Sequence, residues 1–285
     1  MSAGGTTLSD RATRQSAAGV GTSASRPDGI PKVDGSFIYS SDEYHEGSLW
    51  GATLRSPHPR ARIVSIDTSA AEGVDGVAAV LTHQDVPGSK TYGMKISDQP
   101  VLAFDEARYQ GEPVALVAAT HPDIARRACG LIEVQYEELI PNTDPEASLT
   151  GTVDGLRNGG LARHVKIRHG DVAAARDHAD VVIEARYELG TQDPAFLGPE
   201  SGLAVPVGDG GVELYVSCQN LHLDQKQVAA SLGLPLEKVR LVLSGVGGAF
   251  GGKEDLNVHI HACMLALATG RPVRMVYNRE ESFFG

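Results

Sequence analysis

A glycine-rich loop that carries one aromatic and two carboxylates is the segment of this sequence whose residue types could do chemistry. It spans residues 245–255 and reads GVGGAFGGKED. A strand-like apolar run, Val239–Leu243, precedes it, and a helix-like pattern follows from Glu254 to Thr269. Glycine has no Cβ and tolerates positive φ, so such a loop lets backbone amides approach an anionic group. The pattern predicts a site for an anionic cofactor.

Two commoner glycine motifs fit this loop poorly. The dinucleotide-binding pattern GxGxxG requires glycine where Phe250 stands. The phosphate loop pattern fits from Gly247 to Lys253, but it then requires Ser or Thr, and the sequence has Glu254. Two adjacent carboxylates would repel a triphosphate. A simple turn without a ligand needs only one or two glycines, so the five glycines between residues 245 and 252 exceed that need.

Composition limits the classes of partner. The chain has 285 residues, 41% of them hydrophobic, which is typical of one large globular domain or two ordinary ones. A net charge of −11 and an aromatic content of 5% argue against a nucleic-acid partner. No signal peptide and no run long enough to span a bilayer is visible, so we expect no membrane partner. Three sparse cysteines suit a reducing compartment, and we expect a cytoplasmic protein.

Cysteine and histidine spacing predicts no iron–sulfur or zinc site within this chain. The three cysteines never occur as CxxC, and the ten histidines never occur as HExxH. His259 and His261 are two residues apart and would diverge on a helix. Cys129 and Cys263 lie in alanine-rich helical runs, so we interpret them as small core residues.

The fold class that the pattern predicts is α+β. We expect a disordered leader over residues 1–28, a first unit over 29–140, a linker over 141–160 and a second unit over 161–285. Predicted strands lie near residues 49–54, 61–67, 77–81, 113–118, 132–136, 181–187, 202–205, 212–216, 239–243 and 272–277. Predicted helices lie near residues 122–130, 221–232 and 254–269. Residues 280–285 hold two aromatics and no capping motif, so we expect the chain to be a fragment of a longer protein.

Several motifs, in their order along the chain, resemble the molybdenum-binding subunits of the xanthine dehydrogenase and aldehyde oxidase family. In the second unit these are Gln219-Asn220, the helix end LGLP at 232–235, the loop GGAFGGKE at 247–254 and GRPV at 270–273. The family's usual loop reads GGGFGGKE, from which Ala249 departs. In the first unit PHP at 57–59, ARI at 61–63 and GEPV at 111–114 resemble the family's a/b hammerhead domain.

The resemblance implies an a/b hammerhead domain followed by the first part of an α+β molybdopterin-binding domain. It is strongest to the separate molybdopterin subunits of bacterial xanthine dehydrogenases. It implies molybdopterin with molybdenum, in the cytosine dinucleotide form, and hydroxylation of purines such as hypoxanthine or xanthine with water as oxygen source. Electrons would pass to iron–sulfur and FAD partners. Two alternatives stay open: hydroxylation of an aldehyde or another N-heterocycle, and a non-catalytic assembly or binding module.

The resemblance also assigns roles to individual residues near the molybdenum. Gln219 would donate a hydrogen bond to an oxygen ligand of the metal, and the alternative is a strand-end residue that caps the next helix. Phe250 would approach the metal centre, and the alternative is a core aromatic. Backbone amides would reach the cofactor at four further positions: Gly248, Ala249, Gly251 and Gly252.

For the substrate, the resemblance assigns one residue and leaves another position empty. Glu254 would bind the purine, and the alternative is a carboxylate that the dipole of the following helix favours. Family members that act on aldehydes tend to carry an apolar residue there. The family's general base is a glutamate in its C-terminal half, so no residue of this chain is assigned that role.

Overall fold

The structure is a computed structural model that describes residues 25–150 and 161–285, together with Val20 and Ser23. Most of the predicted leader, residues 1–28, lies outside the described residues. The second half of the predicted linker, residues 151–160, also lies outside them. Both assignments, with the predicted limits of the two units, therefore stay predictions.

The described chain alternates short helices with strands. The strands are β1 (Leu49–Arg55), β2 (Ala61–Asp67), β3 (Val77–Thr82), β4 (Thr91–Tyr92), β5 (Gln99–Pro100), β6 (Glu106–Ala107), β7 (Pro113–Ala119), β8 (Glu133–Glu138), β9 (Ser201–Val207), β10 (Gly211–Val216), β11 (Val239–Leu243) and β12 (Val273–Val276). The helices are α1 (Gly29–Asp34), α2 (Ser69–Glu72), α3 (Pro122–Cys129), α4 (Val172–Asp177), α5 (Leu221–Leu232), α6 (His259–Thr269) and α7 (Arg279–Phe284). None of these helices is long and apolar enough to cross a lipid bilayer.

A single seven-stranded sheet joins the two units that the sequence predicts. Its order is β11-β10-β9-β12-β1-β7-β3, so the first unit contributes one side and the second unit the other. The junction is the parallel pairing of β1 with β12, in which Leu49 faces Val273. The remaining strands form a three-stranded sheet, β6-β2-β8, and a two-stranded pair, β4-β5.

Strand β7 is covered on both faces, and this explains why its sequence is a continuous apolar run. Leu116 and Ala118 belong to the large core on the side of α6, whereas Ala115 and Val117 belong to a smaller core beneath α3. All seven residues of the strand are buried. Since successive side chains of a strand point to opposite faces, a strand covered on both sides needs apolar residues throughout.

Helix α6 begins later than its sequence pattern predicts. It starts at His259, and residues 254–258 are irregular. Every residue from His259 to Ala266 is buried, because the helix crosses the sheet inside the large core. The predicted start at Glu254 was wrong. The N–H groups of Leu256 and Val258 are bound by the side chains of Asp255 and Asn257, and such local bonds compete with helical ones.

Two other expectations differ from the structure. The alternating segment 181–187 forms no strand, and Ile183 and Tyr187 are exposed at 85% and 86%. A strand requires a hydrogen-bonding neighbour, and no described strand lies beside this segment. The end of the sequence does carry a capping motif, because Asn278 and Glu281 form a reciprocal capping box at the start of α7.

His261 provides a test of this core through pH. Burial lowers the pKa of His261 to about 4 from an ordinary value of 6.5, while its Nε2–H donates to the carbonyl of Val101 at 2.8 Å. As the pH falls, His261 is therefore protonated near pH 6.5 in the unfolded chain but only near pH 4 in the folded chain. Stability is fully present above pH 6.5 and is lost as the pH falls from 6.5 to 4.

We expect His261→Gln, which can still donate to Val101, to lose about 2 kcal/mol less stability than the parent between pH 7 and pH 4.5. Urea unfolding at the two pH values measures the difference. The exposed His164→Gln variant serves as the matched control and should follow the parent. Equal losses in the parent and in His261→Gln would contradict the assignment.

Candidate functional site

The predicted site residues meet at one edge of the large sheet. Strands β10 and β11 run parallel and pair from Val212 with Val239 to Val216 with Leu243. Gln219 follows the first strand, and the glycine loop follows the second. The carboxyl ends of neighbouring parallel strands are where open sheets commonly bind ligands. The topology therefore brings Gln219 and the loop together although they are far apart in sequence.

Two reciprocal hydrogen bonds join Gln219 to the end of the loop. The Gln219 backbone N–H donates to the carbonyl of Lys253 at 3.0 Å, and the Lys253 N–H donates to Oε1 of Gln219 at 3.2 Å. This contact fixes the orientation of the side-chain amide. Its Nε2 has no acceptor within the described ranges, and Gln219 is exposed. The amide therefore presents a neutral hydrogen-bond donor at the edge of the sheet.

The helix-cap alternative for Gln219 is wrong. Asn220 occupies the N-cap position of α5, and no side-chain cap bond forms there. The Asn220 side chain instead donates from Nδ2 to the carbonyl of Glu254 at 3.1 Å. Both residues before α5 therefore hold the loop that follows β11.

The loop backbone leaves four successive amides without a protein acceptor among the described residues. Gly248 and Gly251 have φ of +102° and +88°, and Phe250, which is not glycine, has φ of +50°. The N–H of Gly252 closes a turn on the carbonyl of Ala249 at 2.8 Å. The four N–H groups from Gly248 to Gly251 donate to no acceptor in the described part of the chain. Successive unpaired amides with left-handed backbone form a concavity suited to an anion.

Phe250 is not a core aromatic, because 77% of its surface is exposed. The space beneath the loop is filled instead by Phe196, which is 1% exposed. A Cβ on Gly252 would lie 2.8 Å from the Phe196 ring, so that glycine is needed for close packing. Sequence reasoning missed Phe196, since a single aromatic in an irregular segment has no periodic pattern.

Lys253 is buried beneath the loop rather than directed at an anion. Its Nζ donates to the carbonyl of Gly198 at 2.8 Å and lies 4.3 Å from the centre of the Phe196 ring. Burial lowers the pKa of this lysine. The phosphate-loop interpretation requires the lysine to reach the phosphates, and this placement is incompatible with it.

Glu254 and Asp255 differ in how they are held. Glu254 is exposed and precedes the first residue of α6, His259, by more than a helical turn. The dipole of that helix therefore does not account for its carboxylate. Asp255 is half-buried, and its carboxylate accepts hydrogen bonds from Gln227 and from the Met94 backbone. Glu254 is thus the carboxylate of this pair that remains available to a ligand.

A buried cluster behind Gln219 has metal-ligand chemistry: the ligand atoms of Cys218, Asp224 and His259 lie within 4.8 Å of one another. Nδ1 of His259 accepts a hydrogen bond from the Asn257 backbone, so the ring proton resides on Nε2. That Nε2–H faces Oδ2 of Asp224 at 3.9 Å. A metal would need this nitrogen without its proton. The arrangement therefore fits a buried Asp–His pair better than a metal site.

A cavity of about 460 Å³ lies elsewhere, between β1, β12 and the helices α3 and α7. Its lining includes Arg55, Arg274 and Tyr277. None of the residues from 245 to 255 lines it. The glycine loop is thus not part of this cavity.

Comparison with known proteins identifies the class of fold and site. Residues 34–140 match the a/b hammerhead domain of aldehyde oxidase and xanthine dehydrogenase. Residues 157–285 match the molybdopterin cofactor-binding domain. The chain belongs to the xanthine dehydrogenase and aldehyde oxidase family. The predicted fold class, a hammerhead domain followed by a molybdopterin-binding domain, is thereby confirmed.

The relatives that the chain matches are named for different substrates. The chain is 43% identical over 258 residues to a probable xanthine dehydrogenase subunit of Bacillus subtilis, covering 90% of this chain and 35% of the relative. It is 37% identical over 264 residues to the nicotinate dehydrogenase large molybdopterin subunit of Eubacterium barkeri, covering 92% and 62%. The structure of aldehyde oxidoreductase from Desulfovibrio gigas superposes with a TM-score of 0.80 at 28% identity, covering 91% and 30%. The chain thus spans only part of each relative.

Lys253→Met tests the buried role of this lysine. The substitution leaves the carbonyls of Gly198 and Pro199 without the ammonium donor, and we expect it to lower the free energy of unfolding by about 2 kcal/mol. Urea unfolding measures the loss, and the exposed Lys226→Met variant, which should be neutral, is the matched control. The phosphate-loop interpretation would be supported instead if the variant kept its stability and if the parent, but not the variant, bound a nucleoside triphosphate.

Proposed function

We propose that this chain forms one wall of the molybdopterin site of a molybdenum hydroxylase that oxidises purines such as hypoxanthine and xanthine. One observation carries the proposal: the free amide donor of Gln219 and the unpaired amides of the glycine loop converge at the ends of β10 and β11. The match of residues 157–285 to a molybdopterin cofactor-binding domain supports the same conclusion.

The residues at the sheet edge fit an anionic pterin cofactor. The four amides from Gly248 to Gly251 are neutral donors, and they can bind anionic oxygens without a counter-charge. The lysine of the loop is turned away into the core. A Cβ at Gly251 would meet no atom within 4 Å, so the loop is open on that side. When bound, molybdopterin supplies the redox chemistry that hydroxylates carbon with oxygen from water.

Gln219 would orient an oxygen ligand of the metal. Its Oε1 is already occupied by the Lys253 N–H, so Nε2 is the group left to donate. An amide donates without adding charge beside an anionic centre. A carboxylate at this position would lose the donor and add repulsion.

Glu254 would bind the substrate. A carboxyl group can hydrogen-bond the edge of a purine ring and stabilise charge that develops during attack. Its side chain is exposed, and the bond from Asn220 to its carbonyl fixes its backbone. Relatives named for nicotinate and for aldehydes have the same domains, so the substrate is decided by side chains such as this one and not by the fold.

The remaining functions would come from outside this chain. We propose that the general base lies in a further part of the protein and that iron–sulfur and FAD components accept the electrons. We further propose the cytosine dinucleotide form of the cofactor and a cytoplasmic location. Cys129, Cys218 and Cys263 are all free and buried, which is consistent with a reducing compartment.

Glu254→Gln in the complete enzyme tests the substrate assignment. We expect kcat/KM for xanthine to fall about 10- to 100-fold, because a charge-assisted hydrogen bond to the purine is weakened, while molybdenum content stays unchanged. Steady-state kinetics normalised to bound molybdenum measure the effect. The exposed Glu237→Gln variant is the matched control. An unchanged kcat/KM for xanthine would reject the role of Glu254 in purine binding. A parent that oxidises an aldehyde or another heterocycle but no purine would reject the purine assignment.

A further inference from the structure

Asp255 ties the end of the glycine loop to the first unit of the chain. Its Oδ2 accepts a hydrogen bond from the Met94 N–H at 3.1 Å, and its Oδ1 accepts one from Nε2 of Gln227 at 3.1 Å. Oε1 of Gln227 in turn accepts from the Gly93 N–H at 2.8 Å. Gly93, Met94, Gln227 and Asp255 thus form a closed ring of hydrogen bonds, which we name the Asp255 clamp.

The chemistry of the clamp permits only one arrangement. Asp255 is a carboxylate that accepts, and the two backbone N–H groups of Gly93 and Met94 can only donate. Gln227 must therefore present its oxygen to Gly93 and its Nε2 to Asp255. Turning the Gln227 amide around would set donor against donor at Gly93. Gln227 and Asp255 thus together bind two successive backbone amides of the first unit.

The clamp completes a series of contacts along the loop exit. The N–H of Lys253 donates to Gln219, and the carbonyl of Glu254 accepts from Asn220. Gln219 and Asn220 are the two residues that precede α5. Asp255 is bonded to Gln227 within α5, and it alone of the three also reaches residues before the second unit. Both sequence neighbours of Glu254, Lys253 and Asp255, are therefore held by hydrogen bonds. Through Asp255, the backbone of residues 93–94 is bound next to Glu254 in the chain.

We propose that Asp255 and Gln227 are positioning residues that fix Gly93 and Met94 beside Glu254, so that the first unit supplies part of the wall of the substrate site. This inference rests on the proposed function. Neither side chain needs to touch the substrate. They set the position of Glu254 and of the segment around Met94. Residues 95–98 of that segment are exposed.

Exchange of the two side-chain types provides the test. In Asp255→Asn, the amide nitrogen opposes a donor, either the Met94 N–H or the Gln227 amide. In Gln227→Glu, two carboxylates face each other. In the double variant the new carboxylate can accept from Gly93 and from the new amide, whose oxygen accepts from Met94, so the ring closes again with the same net charge. The Leu256 N–H, which also donates to Oδ1 of Asp255 at 2.9 Å, loses that acceptor, so the rescue should be incomplete.

The variants are made in the full-length protein with its electron-accepting partners. We expect each single variant to raise KM for xanthine about tenfold, as one lost hydrogen bond implies. The kcat per bound molybdenum should change by less than about twofold. The double variant should return KM to within about threefold of the parent. Amide exchange of the segment around Gly93 and Met94 should rise in the singles and fall again in the double. The exposed Asp75→Asn variant is the control.

The outcomes separate the inference from the proposed function. An active parent whose KM is unchanged by Asp255→Asn overturns the positioning role and leaves the proposed function intact. A loss of molybdenum or of stability with an unaltered KM in the loaded fraction shows a purely structural contact and also overturns it. A fully loaded parent that turns over no purine overturns the proposed function, and the substrate-site role falls with it.

Discussion

The reciprocal hydrogen bonds between Gln219 and Lys253 are the constraint on which the site depends. Parallel pairing of β10 with β11 delivers both segments to the same edge, but pairing ends at Val216 and Leu243. Beyond that point these bonds set the loop against Gln219. They also fix which end of the Gln219 amide is free. The same lysine anchors the loop from below, because its Nζ donates to a buried carbonyl and lies over the Phe196 ring.

The number of glycines follows from close packing as well as from positive φ. The Gly198 N–H donates to the carbonyl of Gly247 at 3.2 Å, and a Cβ on Gly198 would lie 3.0 Å from the Gly247 Cα. Gly252 packs on the Phe196 ring, while other glycines of the loop adopt left-handed backbone. A turn alone would need fewer glycines. Their number lets two loop segments lie against each other while the amides of residues 248–251 stay without an acceptor in the described part of the chain.

The elements that the sequence predicted well are those whose pattern reflects a buried face. Helix α5 and strand β11 have the predicted limits, since local geometry such as the left-handed Gly233 ends the helix. The meeting of Gln219 with the loop followed from the family resemblance and not from spacing. The clamp at Asp255 and the packing of Phe196 were not predictable, because long-range partners leave no periodic pattern. The segment 181–187 was mispredicted for the converse reason: its alternation suits a strand, but it has no described partner.

The edge formed by Gln219 and residues 248–251 is, on this interpretation, what holds the molybdenum cofactor. Anomalous diffraction at the molybdenum absorption edge, from crystals of the full-length loaded protein, tests it most directly. We expect a single molybdenum peak facing Nε2 of Gln219, separated from it by one metal ligand, with the loop amides alongside and Oε1 still on the Lys253 N–H. A peak away from this edge, or a Gln219 amide turned so that its oxygen faces the metal site, would contradict this interpretation.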